Sequence, residues 1–105
     1  MHIFHTSGSI LTGSDLGEAL LLYANALTTQ RHKDTVDMLV VDERGRTSHA
    51  AVVIGYGSPV AGFPAKGTGR ELVDPDRLDA LCRRTRDELM PASSPSQMGE
   101  RTLLD

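Results

Sequence analysis

The predicted fold depends on residues 16–27, whose sequence is LGEALLLYANAL. Apolar side chains recur there at the spacing that places them on one face of a helix. The positions are Leu16, Ala19, Leu20, Tyr23, Ala24 and Leu27. We expect the hydroxyl of Thr12 to cap the amide of Asp15, with Ser14 as the alternative cap. Three basic side chains follow where they complement the carboxyl end of the helix dipole: Arg31, His32 and Lys33.

The same segment is apolar around most of its circumference, because Leu21, Leu22 and Ala26 lie largely outside that face. A surface helix of a monomer has a polar side, so this helix is either sandwiched within the chain or covered by a partner. We therefore take Leu21, Leu22 and Tyr23 as candidate residues of a homo-oligomer interface. The expected assembly is a dimer joined through this helix or through a sheet edge.

Runs of β-forming residues lie on both sides of the helix. Residues 2–6 and 10–12 flank Ser7-Gly8-Ser9, which has the composition of a turn, so they predict one strand or a small hairpin. Residues 36–41 and 47–54 are joined by a short polar loop that contains Gly45, and this pattern is typical of a hairpin.

The carboxyl-terminal half adds a short strand and a second helix. Residues 60–63 are expected at a sheet edge, because Pro59 and Pro64 cannot donate to a ladder. The helix begins with Asp74 as its cap and Pro75 at its first position. Its predicted buried stripe consists of Leu78, Leu81, Cys82, Thr85 and Leu89. Pro91 ends it, and the polar, Ser- and Pro-containing residues 91–105 predict a flexible tail.

Residues 1–90 are thus predicted to form a single α+β domain in the order β(β)-α-β-β-β-α. The short connections favour a small antiparallel or mixed sheet of three to five strands with two helices packed on one face. The chain of 105 residues is 39% hydrophobic and 4% aromatic, which predicts a thin aliphatic core. Burial against a second copy would supplement that core, and this is a further reason to expect a homo-oligomer.

The charge and cysteine content narrow the class of protein. A formal net charge of -3 creates no field that attracts nucleic acid or an anionic membrane, so neither is an expected partner. Cys82 is the single cysteine, which excludes an intramolecular disulfide and a cysteine-based zinc site. The amino terminus lacks an export signal, and no apolar run approaches a membrane span. Together with the arginine-rich basic residues, these features predict a bacterial, cytoplasmic protein.

The glycine-rich residues 55–70 are the most suggestive stretch for a ligand. Glycines expose backbone amides that cradle an anion, with basic side chains nearby. The candidate anion-binding residues are Gly57, Lys66, Gly67, Gly69 and Arg70. The stretch departs from the dinucleotide fingerprint, which needs a glycine where Val60 stands, and from the P-loop, since Lys66 follows Ala65 and precedes Gly67. A connection around an edge strand is the alternative interpretation.

No residue pattern predicts a cofactor, a metal site or a catalytic group. His2 and His5 face opposite sides of one strand, so only a meeting of His5, His49 and a carboxylate such as Asp37 or Asp42 would hold a metal. Ser7 and Ser9 near His5, and Cys82, are the candidate nucleophiles, but no base is placed beside them. The arginines of the second helix are interpreted as a solvated face rather than a basic strip: Arg77, Arg83, Arg84 and Arg86.

Three functions remain as hypotheses from the sequence. The first is a small non-enzymatic, homo-oligomeric interaction or assembly module. The alternative is a regulatory domain that binds a small ligand or anion through residues 55–70. The third is a small hydrolase or metal-dependent enzyme, to which no residues are assigned because no catalytic motif is found.

Overall fold

The computed structural model describes residues 1–65 and 71–90. Its elements are two helices and five strands in the predicted order, so the α+β class is confirmed. The bounds are β1 His2–His5, β2 Gly8–Leu11, α1 Ser14–Thr29, β3 Lys33–Val41, β4 Thr47–Gly55, β5 Ala61–Phe63 and α2 Pro75–Leu89. The predicted tail, residues 91–105, lies outside the described residues.

The strands form two antiparallel sheets rather than one. One sheet has the order β2-β1-β5, with β5 at its edge as the flanking prolines predict. The other is the predicted hairpin of β3 and β4, in which nine residue pairs run from Lys33 opposite Gly55 to Val41 opposite Thr47. The sheets meet where the hydroxyl of Thr12 donates a hydrogen bond of 2.7 Å to the carbonyl of Leu39.

The core forms where α1 packs on the inward side chains of both sheets. Every second residue of the hairpin points to α1, because side chains alternate along a strand. The fully buried side chains are Ile3, Leu16, Leu20, Leu27, Val36, Met38, Val52, Ile54 and Leu81. All are aliphatic, which agrees with the thin aliphatic core expected from the composition.

The ends of α1 differ from the prediction. Thr12 does not cap the helix, because its buried hydroxyl donates to the carbonyl of Leu39 instead. The N-cap residue is Gly13, which has no side chain that could accept a hydrogen bond from the first turn. The amide of Ser14 donates to the carboxylate of Glu71, and this hydrogen bond lowers the pKa of Glu71. The helix ends at Thr29 with no basic residue in its last turn. Lys33 already belongs to β3.

The second helix lies along the first and runs in the same direction. Glu71, just before α2, contacts the start of α1, whereas Glu88, near the end of α2, pairs with His32 just after α1. Asp74 caps α2 as predicted, accepting from the amide of Arg77 at 3.1 Å. Neither helix in the described ranges has the length and apolar character needed to cross a membrane.

The predicted buried stripe of α2 is too wide. Leu81 is fully buried, but Cys82 is exposed and 58% of Leu89 is accessible to solvent. The reason is that α2 packs mainly against a single neighbouring helix. Such a contact covers a narrow line of positions, and Cys82 is rotated by about 100° from Leu81 around the helix axis.

We expect Gly55→Ala to destabilise the fold far more than Gly45→Ala. Both glycines have positive φ angles, 116° and 78°. A Cβ at Gly55 would come within 2.3 Å of the backbone carbonyl oxygen of His32, whereas at Gly45 nothing lies within 4 Å. Urea denaturation should show a loss of at least about 3 kcal/mol for Gly55→Ala and about 1 kcal/mol for Gly45→Ala. Equal losses would contradict the close approach at Gly55.

Candidate functional site

The edge of β4 that faces away from β3, called the free edge below, pairs with no other strand in residues 1–65 and 71–90. At its end the carbonyl of Gly55 accepts from the amide of Ser58 at 2.9 Å. In an antiparallel ladder, directly opposite residues alternate between hydrogen-bonded and non-bonded pairs. The amide of Asp42 donates to Arg46 at 2.8 Å and that of Tyr56 to His32 at 2.9 Å, so even-numbered residues bond across the hairpin. The odd-numbered residues of β4 therefore direct their amides and carbonyls outward: Thr47, His49, Ala51, Val53 and Gly55.

The free edge lacks the features that usually keep sheet edges from pairing. Proteins protect edges with charged side chains, prolines, bulges or short strands. Residues 47–55 have the sequence TSHAAVVIG, with no proline and no Asp, Glu, Lys or Arg. Their nine pairs with β3 run without a break, so no bulge twists the edge away. Val53 is 45% exposed, and Ala51 and His49 are also exposed.

The other sheet edges in the described chain are protected. β5 has three residues and follows Pro59 and precedes Pro64. β2 has four residues and lies beside β3, to which Thr12 adds its hydrogen bond. The outer edge of β3 faces β2, and the strand itself contains three charged residues, Lys33, Asp34 and Asp37. Among the sheet edges of the described residues, the free edge of β4 is thus the long one without charged side chains.

The three interface candidates on α1 have different environments. Leu21 is half-buried against β5, where a Cβ at Gly62 would come within 2.6 Å of its Cδ1 atom. Tyr23 is only 5% exposed and belongs to the core. Leu22 is 64% exposed. The apolar circumference of α1 is therefore covered largely by its own chain, and Leu22 is the member of the trio that is exposed to solvent.

Leu22 lines a groove of about 340 Å³ between the two helices. The other lining residues are Asp15, Glu18, Ala19, Leu78, Cys82 and Thr85. The two acidic side chains belong to the groove wall, so two copies that met here would bring carboxylates of the same charge together. The groove is consequently a poorer surface for self-association than the free edge of β4.

A polar cluster joins α1, β3 and α2. The hydroxyl of Tyr23 donates to Oδ2 of Asp34 at 2.6 Å, and Arg84 lies 3.4 Å from the same oxygen. Burial, and then the hydrogen bond to Asp34, raise the pKa of Tyr23 above its usual value. A phenol held neutral in this way is a hydrogen-bond donor rather than a base. The cluster therefore serves to anchor α2 to the hairpin.

The arginines of α2 do not form a continuous basic strip. Arg84 pairs with Asp34, and Arg77 reaches Asp37 of β3 at 3.7 Å. Arg83 and Arg86 are exposed. Two of the four side chains thus form ion pairs within the fold, which the interpretation as a solvated face did not include, and the other two are solvated.

The structure describes part of the predicted anion-binding stretch. Gly57 lies in an exposed turn with a φ of 79°. Lys66, Gly67, Gly69 and Arg70 lie outside the described residues. Beside Gly57 the fold places Lys33, whose Nζ is 3.8 Å from the position of a Cβ at Gly57. The sequence did not indicate this neighbour, because 24 positions separate the two residues.

The histidines and the cysteine do not converge. Nδ1 of His49 is 3.6 Å from Asp37, and Nδ1 of His5 accepts from the amide of Ser7 at 3.3 Å. Across residues 1–65 and 71–90, no group of three or more histidine, cysteine or acidic side chains is arranged to hold a metal. Cys82 is a free, exposed thiol on the helix surface.

Replacing Tyr23 by phenylalanine should change how stability depends on alkaline pH. At pH 7 we expect Tyr23→Phe to lose about 1 kcal/mol, the net value of one buried hydrogen bond. Because folding raises the pKa of Tyr23, the stability it contributes is complete below pH 10 and is lost as the pH rises further. Urea titrations between pH 7 and 11 should therefore show the difference between the proteins shrinking. A constant difference would contradict a neutral, bonded Tyr23.

Comparison with known proteins yields no relative for this chain: no family model, no curated protein and no solved structure matches it. The proposals below therefore rest on the geometry and chemistry of the chain itself.

Proposed function

We propose that this protein is a homodimeric interaction module whose two copies join through the free edge of β4. The two hairpins then form one four-stranded antiparallel sheet in the order β3-β4-β4-β3. The observation that carries the proposal is the nine-residue, uncharged edge strand without proline or bulge. Such an edge is a ready template for another strand, and a second copy supplies an identical one.

The alternation of the backbone defines a register for this dimer. A two-fold axis at Ala51 places that residue opposite its own copy and His49 opposite the partner's Val53. Both members of every such pair are odd-numbered, so each pair exchanges backbone hydrogen bonds across the interface. Ala51 has the smallest side chain of the exposed residues of β4, and this lets the two strands approach at the axis.

Side-chain charge is compatible with this pairing. The chain carries a formal net charge of -3, yet none of its acidic residues lies in β4. His49, the one ionisable side chain of the strand, faces Asp37 of its own β3 at 3.6 Å. Two copies therefore meet at this edge without opposing carboxylates, unlike at the helix groove.

The proposal includes a bacterial cytoplasmic setting. It is supported by the single cysteine of the chain, which is an exposed thiol and suits a reducing compartment. Fractionation of the producing cell checks this part, since recovery in the envelope fraction would count against it.

Introducing a charge at the axis should separate the dimer. We expect multi-angle light scattering at tens of micromolar to give the wild type twice the 11.3 kDa mass of one chain. Ala51→Lys should shift it to the monomer mass, because like charges directly opposite each other destabilise paired strands. Within its own hairpin the new ammonium is opposite Asp37, so it opposes no like charge there. The matched control is Thr35→Lys, which adds the same charge to an exposed position of β3 and should leave the dimer intact.

Two further outcomes would overturn the proposal. A wild-type monomer at tens of micromolar rules out the dimer, and dissociation by Leu22→Glu but not Ala51→Lys moves the interface to the helices. Hydrogen exchange supplies the direct signature of edge pairing. The amides of residue 51 and Val53 should be protected in the wild type and exchange rapidly in Ala51→Lys, although the fold is retained.

A further inference from the structure

Arg31 occupies a backbone conformation that usually belongs to glycine. Its φ is 60°, and it is the only non-glycine residue of the described chain with a positive φ. The amide of His32 returns to the carbonyl of Leu27 at 2.8 Å, so Arg31 fills the left-handed position of a helix-terminating Schellman motif. A side chain at this position costs conformational energy that glycine avoids. The arginine side chain therefore needs an explanation beyond the turn itself.

The guanidinium of Arg31 is directed to the turn that follows β4. Its Cζ atom lies 5.9 Å from the centre of the Tyr56 ring, and that ring is 50% exposed. Lys33 reaches the same turn, with Cε and Nζ 3.7 and 3.8 Å from the position of a Cβ at Gly57. Two cations thus converge from the segment after α1 on one glycine-containing turn.

The turn also offers a backbone amide beside Lys33. The amide of Tyr56 donates to His32, and that of Ser58 donates to Gly55, both at 2.9 Å. The amide of Gly57 has no backbone acceptor within the part of the chain that the structure describes. Because Gly57 has no side chain, a small anion can approach this amide beside the ammonium of Lys33.

The acidic groups next to this segment in the sequence or paired with it are engaged with other side chains. Asp34 bonds to Tyr23 and Arg84 on the inner side of β3, and Glu88 pairs with His32. Among the described residues, neither Arg31 nor Lys33 forms an ion pair. The positive charge at this turn is therefore available to a ligand.

We propose that Arg31, Lys33 and the amide of Gly57 form a binding site for a phosphate group. A phosphate presents several acceptor oxygens, which match an ammonium, a planar guanidinium and one amide. The ligand is free phosphate or the phosphate of a small monoester whose organic part lies near Tyr56. The site lies just beyond Gly55 at the end of the free edge and includes none of residues 49–53 around the axis. Variants at the axis and variants at Arg31 and Lys33 therefore test the two proposals separately.

The test is a titration of labelled full-length protein followed by amide chemical shifts. Inorganic phosphate and adenosine monophosphate are added at constant ionic strength, with sodium chloride as the ionic control. Saturable shifts at Tyr56 and Gly57 are expected with both phosphates and not with chloride. Tighter binding of the monoester identifies an organic contact at Tyr56, whereas equal binding identifies the phosphate group alone as the ligand.

Three variants separate binding from folding. Arg31→Gly removes the guanidinium but suits the left-handed backbone, so its melting temperature should not fall while binding weakens about fivefold. Lys33→Gln should weaken binding by a similar factor. Arg83→Gln removes the same charge from an exposed position of α2 and should leave binding unchanged. Shifts that equal those with chloride, or that both Arg31→Gly and Lys33→Gln leave intact, would overturn the proposal.

Discussion

The backbone ladder between β3 and β4 is the constraint on which the rest of the structure depends. Because directly opposite residues bond across it only at even-numbered positions, one set of backbone groups is satisfied and the other is directed outward. Side chains alternate with the same period, so Val36, Met38, Val52 and Ile54 form a core surface for α1. The same alternation that builds the core thus leaves a row of unused amides and carbonyls at the free edge.

The helices depend on this hairpin through polar ties as well as apolar packing. Tyr23 and Arg84 share one carboxylate oxygen of Asp34, and Arg77 reaches Asp37 of the same strand. Tyr23 is buried, so breaking its bond would leave a polar group without a partner, which costs more than losing a surface ion pair. The two helices are consequently held in a fixed relation to the sheet even though α2 buries little of its own surface.

Local patterns predicted most of the fold, and long-range partners explain what they missed. The helix at residues 16–27, the hairpin around Gly45 and the Asp74 cap follow from neighbours in the chain, and all are confirmed. Thr12 was wrongly expected to cap α1, because its acceptor is Leu39 on another strand. The anion hypothesis named Gly57 but neither Lys33, which only folding brings beside it, nor Arg31, which folding brings to the adjacent Tyr56. In contrast, the lack of charged residues over positions 47–55 is visible in the sequence alone, and it is the property that distinguishes the free edge.

The contact between Ser14 and Glu71 joins residues 57 positions apart in the chain. A nascent chain leaving the ribosome therefore exposes the first turn of α1 well before the group that completes it has been synthesised. One edge of β1 likewise stays unpaired until β5 has been synthesised. Much of this small domain must assemble after translation has passed its middle, when both halves of these distant pairs exist.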